Sequence, residues 1–326
     1  MIERVKEKLQ GKKVLFISAK FYHYGDAVYE KIRSYGAEVA FYYERNTTVK
    51  HALIANFFPQ KMDEWIEAHY KKILREIEGQ KFDYFIVIRG HKMPLWFIET
   101  IKKANPDIYT IMYQWDSYLL YNADYRHLIP YFNRTLSFDY KDAAALNIPY
   151  APTFHMDEYA SIEDGPKSLD FIFCTNFTDE KYEFAQKFMT LSRQKSYTAY
   201  MHLYISWFNY LKQRLKGIHL DRTIISFKRL DRKAYFELFS KSRTVVDFAG
   251  TSQTGLTMRV IDALGSGKRV LTNNAYASNE PGFNPGQIVI YNAKELSLPD
   301  NVTDDETFDK KDYSIDKWLD NLFFAN

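Results

Sequence analysis

The sequence predicts two consecutive α/β domains, each a parallel sheet flanked by helices. Three observations lead to this fold class. Short apolar runs alternate with longer amphipathic stretches along the whole chain. One polar segment, residues 155–168, interrupts the alternation near the middle. The chain has 326 residues, 46% of them hydrophobic, which is enough for two cores of ordinary domain size.

In the first half, five short apolar runs are predicted to be strands: 14–18, 38–43, 84–88, 110–113 and 135–138. The stretches between them have helical spacing, at 26–35, 62–78, 94–104 and 141–146. In the second of these helices, Trp65, Ile66, His69, Ile73 and Ile77 fall near one face, as in an amphipathic helix.

The polar segment HMDEYASIEDGPKS lacks an apolar period and is predicted to be a linker. After it, strands are predicted at 169–174, 223–227, 244–248, 269–272 and 288–291. Helices are predicted at 179–191, 201–215, 232–240, 255–264 and 314–324. We therefore expect an N-terminal domain over 1–155 and a C-terminal domain over 156–326, with the last helix as a candidate to pack back on the N-terminal domain.

Composition and charge restrict the class of protein. The net charge of +3, from 44 basic and 41 acidic residues, is too balanced to indicate nucleic-acid binding, although local basic patches suit an anionic ligand or a membrane surface. A single cysteine, Cys174, excludes an internal disulfide framework. The first residues are charged and helical in character, and no run has the length of a membrane span. These features predict a cytoplasmic protein.

The most informative segment is VVDFAGTSQTGLTMRVIDALGSGKRVLTNN, residues 245–274. A strand is predicted to end near Phe248, and a helix to begin at Gly255 or Leu256 with Thr254 as its N-cap. Free N–H groups and the helix dipole make such a start suitable for a diphosphate. The candidate donor-binding residues at this start are Thr254, Gly255, Leu256 and Thr257.

Two charged residues further along this helix complete the candidate site. Arg259 lies one turn in and can add positive charge beside phosphates. Asp262 lies two turns beyond Gly255, on the same face, where its carboxylate can reach the hydroxyls of a ribose. The alternative, equally favoured by spacing alone, is an ordinary amphipathic helix with a capping threonine and a surface aspartate.

The strings SQTGLTMRVIDALGSGKRVLTNN, MYQWDSY and LSFDYKDA, in this order, resemble bacterial cell-surface polysaccharide glycosyltransferases of the GT-B, CgeB-like group. The similarity covers most of the chain and is concentrated in residues 253–274. It implies two Rossmann-like domains facing each other across a cleft. In related retaining enzymes an acidic residue at the position of Asp262 binds the donor ribose. The acidic residue often found eight positions earlier is replaced here by Thr254.

Two other strand ends are candidate donor contacts. Phe227 and Lys228 follow a strand at a place where such folds often hold the nucleotide base, and a solvated basic loop is the competing interpretation. Thr175 ends the first strand of the second half and should face the ligand, unless its role is structural.

In the first half, three side chains at strand ends are candidate catalytic groups: Asp116, His91 and Asp26. A carboxylate or imidazole there can deprotonate an acceptor hydroxyl, as an inverting transferase requires. A retaining transferase relies instead on positioning and on stabilising the departing diphosphate. Asp116 comes first because the resemblance includes its WDS turn, and each of the three can also be a turn or capping residue.

Other chemistries lack their motifs. The sequence contains no D-x-D, no H-E-x-x-H and no G-x-G-x-x-G after the first strand, so neither a metal nor a cofactor is expected. The glycines of Gly265-Ser266-Gly267-Lys268 follow a helix instead of preceding one and read as its C-terminal stop.

The resemblance implies a glycosyltransferase of cell-surface polysaccharide or lipopolysaccharide synthesis, and the missing D-x-D motif makes a metal-independent reaction the expectation. The expected partners are a nucleotide-sugar donor, a carbohydrate or lipid-linked acceptor, and the inner membrane surface through peripheral contact. Two alternatives stay open: a sugar-nucleotide epimerase or polyol-phosphate transferase on the same scaffold, and a binding protein without turnover. The donor sugar, the base, the acceptor and the stereochemical outcome are not assigned.

Overall fold

A computed structural model describes residues 1–21, 23–45, 59–120, 124–163, 165–250, 252–300, 306 and 308–325. The chain divides into two compact units. The first unit comprises Met1–Met156 together with Ser314–Asn326, and the second comprises Asp157–Tyr313.

Within the described residues, the first unit holds a five-stranded sheet of order β2-β1-β3-β4-β5, parallel throughout. Its strands are β1 (Lys13–Ser18), β2 (Glu38–Tyr43), β3 (Tyr84–Ile88), β4 (Tyr109–Gln114) and β5 (Arg134–Ser137). Its first helices are α1 (Ile2–Leu9), α2 (Tyr24–Ser34), α3 (Met62–Glu76), α4 (Leu95–Ala104) and α5 (Tyr140–Leu146). The central strands are almost continuously buried, as expected for a sheet covered on both faces.

The second unit holds a six-stranded parallel sheet, again within the described residues, of order β11-β10-β9-β6-β7-β8. Its strands are β6 (Leu169–Asn176), β7 (Ala199–Tyr204), β8 (Ile225–Ser226), β9 (Ser242–Asp247), β10 (Arg269–Thr272) and β11 (Ile288–Ile290). Its helices are α6 (Asp157–Ala160), α7 (Asp179–Gln194), α8 (Trp207–Leu215), α9 (Arg232–Ser240) and α10 (Met258–Gly265).

Strand β7 corrects the sequence prediction, which placed one helix over 201–215. The residues Ala199–Tyr204 pair with β6 on one side and β8 on the other. The helix begins only at Trp207, where the Ser206 hydroxyl caps it by accepting from the Asn209 N–H at 3.2 Å. Apolar residues at 201, 203 and 205 fit a period of two, and the neighbouring tyrosines favour a strand. The helical interpretation was therefore wrong for the first part of this range.

Part of the predicted linker is also ordered structure. Residues 157–160 form α6, and Tyr159 is buried with its ring 5.5 Å from Phe236 and 4.9 Å from Phe239. Arg232 of α9 forms an ion pair with Glu158. One buried aromatic ring and one ion pair therefore fix a segment whose composition resembles a linker.

The final helix α11 (Ile315–Phe324) belongs to the first unit. Its Trp318 is fully buried, with ring centroids 5.1 Å from Tyr113 and 5.0 Å from Phe154. Asp320 accepts two hydrogen bonds from Arg4 of α1, at 2.5 and 2.6 Å. Helices α1 and α11 thus pack against each other in the first unit.

Candidate functional site

In the second unit, the carboxyl ends of β6, β9 and β10 lie side by side, because these strands are parallel neighbours. Thr175, Asp247 and Thr272 stand at these ends. Ligands of open parallel sheets bind beyond this edge. The chemistry of the second unit should therefore be sought here.

Asp247 organises this edge, and the sequence analysis did not select it. Its buried carboxylate accepts hydrogen bonds from the hydroxyls of Thr257 at 2.8 Å and Thr272 at 2.9 Å. It also accepts from Arg259, at 2.8 Å from Nη2 and 3.1 Å from Nε. A buried carboxylate is tolerated only with such partners. An acidic residue at the end of a buried apolar strand was the available sequence signal.

The start of α10 differs from the prediction. The helix begins at Met258 with Thr257 as its N-cap, so the start predicted at Gly255 or Leu256 with Thr254 as the cap was wrong. The Thr257 hydroxyl caps the Val260 N–H at 3.5 Å and also donates to Asp247. This second contact decides between the two threonines. The segment that leads into the helix is instead buried, and it consists of Thr254, Gly255 and Leu256.

Two asparagines that follow β10 hold the backbone before α10 in place. Asn273 accepts from the Ala249 N–H at 2.7 Å and donates to the Ala249 carbonyl at 3.0 Å. Asn274 donates to the carbonyls of Thr254 at 2.8 Å and Gly255 at 3.2 Å. The backbone before α10 is therefore fixed from the neighbouring strand, and the first-turn N–H groups of the helix are presented in one arrangement.

Two cations lie at this edge. Arg259 is bound to Asp247, and its side chain is 22% exposed. Lys181, in the first turn of α7, donates to the Thr175 hydroxyl at 3.2 Å. Burial, and then the charge of Arg259, lower the pKa of Lys181. The two cations are thus close enough to repel, and Asp247 is the buried carboxylate that they share.

Asp262 is buried in α10, with 3% of its surface exposed, whereas both sequence interpretations required an accessible carboxylate. The Tyr159 hydroxyl hydrogen-bonds to it, while Oδ1 has no partner among the described residues. Burial, and then the charge of Glu158, raise the pKa of Asp262 well above its usual range. Burial therefore favours the neutral form of the Asp262 carboxyl group.

This burial gives a pH-dependent stability. Between the unfolded pKa, about 3.9, and the raised folded pKa of Asp262, the native state binds more protons, so its free energy of unfolding falls as pH rises. We expect Asp262→Asn, which cannot ionise, to remove this loss. The Tm of the variant minus that of the wild type should be more positive at about pH 8 than at about pH 5. Each kcal/mol of unfolding free energy that the variant recovers should raise the Tm by about 2–4 °C.

Calorimetric scans at the two pH values measure this difference. Asp309→Asn, at an exposed position, is the matched control and should give the same difference at both. A difference for Asp262→Asn that is constant or declines with pH would contradict the buried neutral carboxyl.

The predicted base-binding residues are placed separately from the helix start. The Phe227 ring stacks on Trp207 with centroids 3.9 Å apart, and the Arg222 guanidinium lies 4.4 Å from its centre. Lys228 is exposed and, together with His202 and Arg229, lines a cavity of about 440 Å³. The loop after β8 therefore offers an aromatic and basic surface beside an open volume.

In the first unit, four polar residues form a network at the carboxyl edge of the sheet. Glu44, buried after β2, accepts from the Arg89 guanidinium and from the His91 backbone N–H, the latter at 2.9 Å. Arg89 also lies 3.5 Å from Asp116. Arg89 adopts a left-handed φ of 73°, a conformation that costs a non-glycine residue energy. The sequence analysis found Asp116 and His91 but missed Glu44, which joins them through Arg89.

Burial changes the acid–base properties of this network. It raises the pKa of Asp116, against the opposing charge of Arg89. It lowers the pKa of His91, against the opposing charge of Glu44. Asp26, the third candidate, lies in a different set of contacts, 3.6 Å from His23 and hydrogen-bonded to Tyr43, and its side chain is 47% exposed. The structure thus groups Asp116 with His91 and not with Asp26.

The described part of the chain has two further properties. It contains no group of three His, Cys, Asp or Glu side chains placed to hold a metal ion. Its helices do not include one of the length and apolar character needed to cross a membrane.

No protein-family model and no curated protein sequence matches the chain. Solved structures do match. The S. aureus MnaA–UDP complex aligns with a TM-score of 0.52 at 12% identity, over 86% of this chain and 84% of that one. Anabaena HepE in complex with UDP and glucose aligns with a TM-score of 0.51 at 9% identity, over 96% and 95%. The chain has the GT-B fold.

This fold, two Rossmann-like parallel α/β domains, confirms the fold class predicted from the sequence. At these identities the likeness establishes the fold alone. The membership in the CgeB-like group and the roles of the candidate residues stay predictions.

Proposed function

We propose that this chain is a glycosyltransferase that binds a nucleotide-sugar donor in its second unit. The observation that carries the proposal is the arrangement at the start of α10. There, a helix N-terminus fixed by Asn274 and Asp247 stands beside Arg259, at the carboxyl edge of a parallel sheet.

The charge at this edge suits a diphosphate. Arg259 and Lys181 are held near one another, and the four hydrogen bonds to Asp247 already occupy the carboxylate that balances them. A bound anion would supply the missing negative charge and accept from the first-turn N–H groups. Thr257 and Thr175 place hydroxyl groups at the same edge.

The base of the nucleoside is assigned to the loop after β8. The ribose is not assigned to Asp262, because the carboxyl group of Asp262 is buried. The aromatic and basic loop at Phe227 and Lys228 offers a surface for the base. The two structures with the same fold are named as UDP complexes, which supports this class of ligand.

The acceptor is assigned to the first unit. Asp116, whose pKa is raised by burial, is a stronger base than an exposed aspartate and is suited to take a proton from an acceptor hydroxyl. His91 lies in the same network and is the second candidate. We propose a carbohydrate or lipid-linked acceptor, a reaction without a metal ion, and a role on the cytoplasmic side in the synthesis of a cell-surface polysaccharide.

Isothermal calorimetry with a panel of nucleoside diphosphates tests the donor site. We expect at least one of them to bind, and Lys181→Gln and Arg259→Gln each to weaken it by about 10–100-fold, the worth of one charge-assisted hydrogen bond. Lys187→Gln, an exposed change on the same helix as Lys181, is the matched control and should leave affinity unchanged.

Unchanged affinity in both site variants would reject the assigned position. Incubation of the wild-type protein with a nucleotide sugar and no acceptor then separates the enzyme classes. An epimerase would convert the nucleotide sugar itself, whereas a transferase requires an added acceptor for net transfer.

A further inference from the structure

Helix α8 carries an exposed apolar surface on the second unit. The side chains are Trp207, Phe208, Leu211, Leu215 and, just beyond the helix, Ile218, with exposed fractions of 60, 67, 54, 89 and 41%. We call these five residues the α8 patch. The four residues within the helix are spaced along one side of it, so they form one continuous surface and not scattered exposed residues.

Much of the apolar surface of α8 faces away from the core of the second unit. The buried residue of the helix is Gln213, which is 8% exposed and donates to Asp179 at 2.8 Å. Surface helices normally turn their apolar stripe inward and their polar face to water. Here Tyr210 packs against the core and the Gln213 amide is buried, while Phe208, Leu211 and Leu215 face outward. Packing within the second unit does not explain these three apolar side chains.

The charged residues within the segment that carries the patch are all basic. Residues 207–220 include Lys212, Arg214 and Lys216 and contain no acidic residue. The Lys212 ammonium lies 4.6 Å from the centre of the Phe208 ring. Asp179 and Asp221 lie outside this segment and accept hydrogen bonds from Gln213 and Thr223, respectively. The basic residues of the segment therefore place positive charge beside the α8 patch.

We propose that the α8 patch docks the protein on an anionic membrane surface. Exposed Trp, Phe and Leu beside Lys and Arg are the composition of helices that lie in the lipid headgroup region. The basic residues add attraction to anionic lipids, and their long stems let the apolar side chains enter the interface. This inference rests on α8 alone and does not require the proposed donor site.

Vesicle co-sedimentation of the full chain tests the proposal. We expect binding to vesicles of equal parts phosphatidylcholine and phosphatidylglycerol to exceed binding to pure phosphatidylcholine by about tenfold or more, and to weaken as salt is added. The triple variant Phe208→Ser, Leu211→Ser, Leu215→Ser should lose this binding. The charge variant Lys212→Gln, Arg214→Gln, Lys216→Gln should lose the preference for the anionic vesicles.

The variants leave Trp207 unchanged, because it stacks on Phe227 of the candidate base loop. Leu119→Ser is the matched control, an apolar side chain of 55% exposure outside the patch, and should bind vesicles as wild type does. Thermal unfolding at the wild-type Tm would show that the triple variant is folded, since its changes are all at exposed positions.

Two results would overturn the proposal. One is equal sedimentation of wild type and triple variant with anionic vesicles, including no binding by either. The other is a dimer in sedimentation velocity runs that the triple variant abolishes, which would assign the patch to a second copy of the chain.

Discussion

Asp116→Asn is expected to lower kcat by about 10²–10⁴-fold, the usual contribution of a general base, while nucleotide affinity stays at the wild-type value. The nucleotide is assigned to the second unit, whereas Asp116 belongs to the network of Arg89 and Glu44 in the first. Asparagine retains the size of the side chain and cannot accept a proton. Steady-state kinetics with a transferable donor, alongside calorimetry of the nucleoside diphosphate, measure the two quantities.

The same prediction has a pH signature. The ionised carboxylate is the active form, and burial raises the pKa of Asp116. The rate should therefore rise with pH as Asp116 ionises, and the midpoint of this rise should lie above the usual pKa of aspartate, about 3.9. The rise should be absent in Asp116→Asn. The charge of Arg89 lowers the pKa of Asp116, so Arg89→Gln should move the rise in rate to higher pH.

Asp124→Asn is the matched control, a nearby aspartate with a half-exposed side chain that pairs with Arg126 at 2.7 Å. Its kcat should stay at the wild-type level. Wild-type turnover in Asp116→Asn would reject the base assignment. It would favour a mechanism in which positioning and stabilisation of the leaving diphosphate suffice.

The fold could be predicted because its signals are local. Strands β2, β3 and β10 have the predicted bounds, since short apolar runs between amphipathic stretches identify buried parallel strands. Strand β7 was lost because it directly precedes α8, and the combined stretch was read with one period. Ser206 lies between the two elements and caps the helix. In the sequence, the same serine can be read as a residue inside one longer helix.

The candidate site was predicted less completely because its geometry depends on contacts between distant residues. Thr254 and Thr257 are equally good capping residues in sequence, and the hydrogen bond from Thr257 to Asp247 selects the second. Glu44 and Asp247 each end or follow a strand, and in the sequence each looks like an ordinary polar residue at a strand end. Their importance appears only when Arg89 and Arg259 reach them.

Burial of Asp262 was a further feature that sequence could not supply. Its helical position suggested either a ribose ligand or a surface residue, and both required access to solvent. The side chain that covers it, Tyr159, comes from the segment predicted to be a linker. The incorrect linker prediction therefore also hid the burial of Asp262, although the fold class was predicted correctly.

The largest loss of stability should follow from Asp247→Ala. This change removes the acceptor of Thr257, Thr272 and Arg259 together, and leaves the guanidinium of Arg259 without its carboxylate. Breaking one partner of a buried ion pair costs about 3–5 kcal/mol. For a domain of this size the Tm should fall by about 2–4 °C per kcal/mol. Differential scanning calorimetry and chemical denaturation measure the loss.

Asp300→Ala is the control, because Asp300 forms an ion pair with Lys195 while 96% exposed, and surface pairs contribute little. Asp247→Asn separates charge from shape, since its amide oxygen can still accept from Thr257 but no longer balances Arg259. We expect it to be intermediate in stability. The double variant Asp247→Ala, Arg259→Met should recover part of the loss, because the unpaired cation is removed with its partner. If Asp247→Ala unfolds at the wild-type temperature, Asp247 does not hold the start of α10. The fixed helix N-terminus on which the donor site depends would then lack its support.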